Sequence, residues 1–173
     1  MTEFAENPAP TPQWASKGGV LNFGPNKAEW DDSRTSDVLR IKEVYARWGM
    51  YYDECRMDLL SSLFEEDGIL EIYVGSGDLA GSFVGVDKVA DFLTRTIISQ
   101  GDQRRHLMTN VLVERLSETE ASTIAYGAVL VASQGMSLDI SAVYSGDLVK
   151  GKDGVWRFCR LAIGMDSYSG SPS

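Results

Sequence analysis

Four stretches decide the fold: HLMTNVLVER (106–115), STIAYGAVLVA (122–132), LDISAVYSGDLVK (138–150) and VWRFCRLAIGM (155–165). Each is dense in the branched and aromatic side chains that fit a pleated, half-buried surface. Between them stand Ser117-Glu118-Thr119-Glu120, Ser133-Gln134-Gly135 and Gly151-Lys152-Asp153-Gly154, all residues that favour turns. Connections this short join antiparallel neighbours, because a parallel return needs a long crossover.

Upstream the pattern changes period. Thr35-Ser36-Asp37 offers side-chain acceptors for a helix N-terminus. Val38, Ile41, Val44, Tyr45, Trp48 and Tyr52 then follow one helical face to about Asp53. A short helix is expected over Met57 to Phe64, a turn at Glu65-Glu66-Asp67-Gly68, and a strand from Ile69 to Val74 that Ala80 to Val84 pairs with. Gly85 to Gln100 reads as a third amphipathic helix, with Val86, Val89, Phe92, Leu93, Thr96 and Ile97 on its apolar side. The order is α+β: four long strands bend into a curved, mostly antiparallel sheet, and three helices cover one face to close a cone around a pocket. Residues 1–35 hold Pro8, Pro10, Pro12 and Pro25 together with Phe4, Trp14, Leu21, Phe23 and Trp30. They read as an irregular arm laid over the domain or over a neighbouring subunit. The domain itself is expected over 36–166, and 167–173 form a polar tail.

Sixteen Lys and Arg against 25 Asp and Glu give a net charge of −9. Nucleic acid and anionic membrane surfaces are poor partners for such a chain. The N-terminus lacks the apolar run of a signal peptide, which places the protein in the cytoplasm. With one histidine and two distant cysteines, Cys55 and Cys159, no His/Cys metal site is expected, and both cysteines read as free thiols. Gly75, Gly77 and Gly81 do not have the spacing of a phosphate cradle, so no nucleotide or flavin is implied, and the expected cofactor set is empty.

His106 is the chain's only imidazole, the side chain best suited to take and give a proton near neutral pH. Asp53 ends the apolar face that runs through Tyr45, Trp48 and Tyr52, where a carboxylate needs a donor, and His106 is the natural one. Read from the residues alone, either can be structural: a hydrogen-bonded core histidine, or a helix-end aspartate in water. Asn110 shares a strand face with His106 and Met108 by alternation and can orient a substrate hydroxyl or serve the backbone. Tyr51, Tyr52, Tyr73, Tyr126 and Tyr144 lie in elements that should line the cone, with Tyr52, Tyr126 and Tyr144 preferred. Arg104, Arg105 and Arg160 are candidates for stabilising a developing oxyanion, Arg105 preferred. Trp48, Tyr52, Phe83, Phe92 and Tyr144 would exclude water from an apolar pocket.

Three motifs resemble the NTF2-like superfamily, in the branch of scytalone dehydratase, the SnoaL-type polyketide cyclases and the hexachlorocyclohexane dehydrochlorinase. They are Tyr52-Asp53 with Met57-Asp58-Leu59-Leu60, Arg105-His106-Leu107-Met108-Thr109-Asn110, and Asp153-Gly154-Val155-Trp156-Arg157-Phe158. The likeness spans Asp37 to Met165. It implies catalytic roles for His106, Asp53 and Tyr52, and substrate contacts for Trp48, Asn110, Tyr126, Tyr144 and Arg105. The second pocket histidine of scytalone dehydratase is missing here; the dehydrochlorinase works with one His–Asp pair. The resemblance implies a cofactor-independent lyase that eliminates water, with possible release of formaldehyde by carbon–carbon cleavage, from a small hydroxylated aromatic compound. Lyases that deformylate lignin-derived diaryl compounds are similar in class. An isomerase or cyclase, a ligand carrier, and a ring-hydroxylating dioxygenase β subunit are the alternatives. A homodimer or higher homo-oligomer is expected, because an open sheet leaves an apolar face.

Overall fold

A computed structural model describes residues 13–25, 32–75, 77–133 and 135–168. The four C-terminal stretches are strands β3 (Gln103–Leu116), β4 (Glu120–Ala132), β5 (Met136–Lys150) and β6 (Trp156–Tyr168), paired antiparallel in sequence order. Strands β1 (Phe64–Val74) and β2 (Leu79–Val84) form the hairpin expected upstream. The sheet order is β2-β1-β6-β5-β4-β3, and its one parallel pairing joins β1 to β6.

Three helices lie on one face of this sheet: α2 (Asp32–Asp53), α3 (Met57–Ser61) and α4 (Val86–Ser99). They bury Ile41, Tyr45, Trp48, Leu60, Val89 and Leu93 against Leu70, Ala125, Tyr144, Phe158, Leu161 and Ile163 of the strands. The opposite face is not bare. A four-residue helix, α1 (Trp14–Lys17), and the residues after it lay Ala15, Val20 and Leu21 on Ile124 and Val143. Gly164 makes room for this: a Cβ there would stand 2.6 Å from the Trp14 ring. Trp14 Nε1 donates to Asp166 Oδ1 at 2.7 Å and fixes the ring in place. This part of the arm therefore covers its own chain. Phe4 and Trp30 lie outside the described residues, as does most of the expected polar tail.

Three local expectations change. The long helix begins at Asp32, so Asp37 is not its cap. Its carboxylate is a buried strut that accepts from Lys150 Nζ (2.9 and 3.1 Å) and Trp156 Nε1 (3.0 Å), tying α2 to the β5–β6 turn. The short helix stops at Ser61 instead of Phe64. Glu65-Glu66-Asp67-Gly68 is not a turn between elements but a bulge within β1. Phe64 pairs with Phe158 and Ile69 with Arg160, so four residues on β1 face one on β6. Turn-favouring residues supply the kink, and the ladder on both sides keeps the strand running.

Candidate active site

Burial alternates along the first half of β3: Arg104, His106 and Met108 face inward, while Gln103, Arg105 and Leu107 are exposed. Cross-strand partners agree, since Arg104 and His106 stand opposite the buried Val131 and Val129. Helix α2 crosses β3 here and brings Asp53, its last residue, onto His106. Gly49, one turn earlier, permits the approach: a Cβ there would stand 3.0 Å from the His106 carbonyl oxygen and 3.1 Å from its Cβ.

Asp53 grips His106 twice. Oδ2 accepts from the His106 backbone N–H at 2.8 Å, and Oδ1 pairs with ring Nδ1 at 2.6 Å. Both side chains are nearly buried, 7% exposed for Asp53 and 9% for His106, so the two donors offset a carboxylate's desolvation. A carboxylate only accepts, so Nδ1 carries the hydrogen, and in the neutral ring Nε2 presents its lone pair. Tyr52 packs on the imidazole with ring centroids 4.5 Å apart, and its hydroxyl donates to Gln100 Oε1 at 3.1 Å. Trp48 adjoins Tyr52 at 6.4 Å between centroids, and its buried indole N–H lies beside the Tyr144 hydroxyl without forming a close hydrogen bond. Tyr144 is buried in the same core, and burial pushes its phenol well above the usual range. Phe83 and Phe92 stack at 3.9 Å and pack against this core from β2 and α4.

His106, Asp53, Tyr52, Trp48 and Tyr144 therefore come together. The remaining three expected site residues do not. Tyr126 projects from the opposite face of the sheet and is 45% exposed. It lines a surface cavity with Trp14, Leu21 and Val143. Arg105 also points away from the interior, at 50% side-chain exposure, and pairs with Glu54. Asn110 is exposed with φ 51° in a bulge between Thr109 and Leu112, which shifts the inward set from His106 and Met108 to Val111 and Val113. Alternation from His106 does not extend through a bulge. Arg160 is taken up by Glu71 on β1.

Sequence reasoning underweighted Arg104, although its position two before His106 already put it on the inner face. It also missed Gln100, whose place at the end of α4 carries no signature. A surface cavity of about 690 Å³ lies along α2, α3 and the β5–β6 turn and contains neither His106 nor Asp53. Among the described residues, no group of three or more His, Cys, Asp or Glu is placed to hold a metal ion, and no helix is long and apolar enough to cross a membrane.

Several solved structures share this architecture. A candidate scytalone dehydratase from Novosphingobium aromaticivorans superposes with TM-score 0.67 at 19% identity, over 82% of this chain and 92% of that one. ActVI-ORFA from Streptomyces coelicolor gives 0.65 at 17% identity, over 80% and 99%. The β subunit of a candidate aromatic-ring-hydroxylating dioxygenase from Novosphingobium aromaticivorans gives 0.68 at 15% identity, over 79% and 94%. Identities this low speak for the fold alone. No functionally curated protein matches the sequence. The SnoaL-like domain family, in contrast, matches residues 33–162, a span that takes in α2 with Asp53 and β3 with His106. By that match, over most of its length, the chain belongs to the SnoaL-like domain family of the NTF2-like superfamily.

Proposed function

We propose that the protein is a cofactor-independent lyase that eliminates water from a small hydroxylated aromatic compound. The observation that carries this reading is the double grip of Asp53 on His106, which leaves Nε2 as a base in a largely apolar interior. A base there takes the proton next to the leaving hydroxyl, the C–O bond breaks, and the electron pair becomes the new double bond. Asp53 balances the imidazolium that forms. The same proton then leaves with the hydroxide as water, so no redox partner is needed.

On a para-hydroxylated ring, loss of a benzylic hydroxyl gives a quinone methide. If a neighbouring carbon bears a hydroxymethyl group, His106 takes that group's O–H proton and the C–C bond breaks. Formaldehyde leaves, and the electron pair restores the phenol. The dioxygenase β-subunit alternative gives no reason for a buried, oriented imidazole.

The test is incubation of the purified protein with a 1,2-diarylpropane-1,3-diol bearing a para-hydroxyl, followed by mass spectrometry and formaldehyde trapping. Loss of water, with or without formaldehyde, in wild type but not in His106→Ala supports the reading. An unchanged substrate, or an isomer of the same mass, overturns it.

A further inference from the structure

Arg104 is the inward residue next to His106 on β3, about 7 Å from it along the strand. Its side chain is only 13% exposed. Nε and Nη2 donate to Asp102 at 2.8 and 3.2 Å, and Nη1 donates to Asp139 of β5 at 2.9 Å. Those bonds spend three of the five N–H groups of a guanidinium, leaving one donor on each Nη. Asp102 and Asp139 are themselves 22% and 18% exposed, so one cation sits between two largely buried carboxylates. An ion triple of this kind gains little over apolar packing as a structural device, because all three charges lose water. It does give the interior a polar end with unspent donors and a net negative charge.

We propose that Arg104 binds the distal oxygen of the substrate as a neutral phenolic hydroxyl, and that Asp102 and Asp139 make the same position reject a carboxylate. The inference rests on the lyase reading for the aromatic class of substrate and adds which ring oxygen is recognised and in what charge state. His106 and Arg104 project from the same inner face of β3, two residues apart, so a substrate that reacts at Nε2 extends its far end toward the guanidinium. The spare N–H groups donate to the distal oxygen. A carboxylate there would meet a cation already matched by two carboxylates, with Asp53 as a further negative charge nearby.

Three neutral or charged probes test this by titration with ligand-observed NMR: 4-(hydroxymethyl)phenol, benzyl alcohol and 4-(hydroxymethyl)benzoate. Wild type is expected to bind the phenol roughly tenfold more tightly than either of the others, the size of one hydrogen bond to a charged group. Arg104→Met should bring the phenol down to benzyl alcohol, and Asp139→Asn should narrow the gap between phenol and benzoate. Arg104→Lys, which keeps the charge and so protects the fold, should lose most of the phenol's advantage because its ammonium cannot donate in two directions from the same plane.

Equal binding of the three probes by wild type, tighter binding of the benzoate, or no binding at millimolar concentration overturns the proposal. An unchanged phenol preference in a folded Arg104 variant also does so. The phenol preference without any turnover of the diol would remove the lyase reading and leave this one standing. Turnover without the preference would do the reverse.

Discussion

A single carboxylate fixes both the backbone and the ring of His106, so Asp53 sets the position of the base as well as its tautomer. His106→Ala should lower turnover by roughly 10²–10⁴, the range for a positioned acid–base group. Asp53→Asn should cost a similar amount: an amide that donates to Nδ1 would select the other tautomer and withdraw the Nε2 lone pair. Because the two act as one unit, the double variant should be little slower than either single one. Steady-state kinetics on the diol substrate with circular dichroism of each variant checks this. Additive losses would mean two independent roles.

At the scale of elements, α2 does two jobs at opposite ends. At its far end Gly49 lets the helix rest on the backbone of β3. Gly49→Ala gains about 1 kcal/mol of helix propensity and spends it on the contact with His106. Thermal stability should therefore change little, while kcat falls about tenfold or more, as expected for a small displacement of the base. Kinetics beside a melting curve separates the two effects. At its near end Asp37 anchors the helix to Lys150 and Trp156. Burial alone would raise this carboxyl, but the bonds from Lys150 and Trp156 outweigh it and hold the group below its ordinary value of 3.8. Asp37→Asn should cost about 1–3 kcal/mol in urea unfolding at neutral pH. The sign follows from the lowered value: the contribution is whole above pH 3.8 and fades as pH falls through the lower folded value. The gap between wild type and variant should accordingly close in acid.

The same elements show how far the sequence could be read. Long apolar strands with short turns made the meander plain, whereas the lone imidazole was paired with the helix-end carboxylate through the family resemblance, since the residues alone left both open to a structural role. Tyr126 was misplaced because both faces of the sheet are apolar: Ile124 and Val143 are buried under residues 13–25, so strand composition does not say which side is inner. Asn110 and Glu65 to Gly68 were misread for a shared reason. A bulge uses the residues of a turn or an ordinary strand, and only the partner strand reveals the extra residue. The Asp37 strut joins positions 113 residues apart, beyond any local signal.

The whole molecule presents an outer sheet face that residues 13–25 cover only in part. Leu107, Leu112 and Tyr126 stay about half exposed beside them. We expect light scattering at micromolar concentration to report a homodimer, with a monomer as the contrary result. Activity should survive EDTA, since the proposed chemistry uses only this chain's own groups; loss on chelation with recovery on adding a divalent ion would be the contrary result.

The parallel seam between β1 and β6 has a consequence for how the chain is made. Everything that precedes β6 forms two separate sheet fragments, β1–β2 and β3–β5, and β6 alone is bonded to both. A ribosome delivers that strand after the other five. Until it emerges, Leu70 lacks its cross-strand partner Leu161 and Tyr144 lacks Ile163. The nascent protein must therefore keep two apolar half-cores apart from other chains until β6 is released. That makes the emergence of β6, from Trp156, the point where synthesis, folding and aggregation compete.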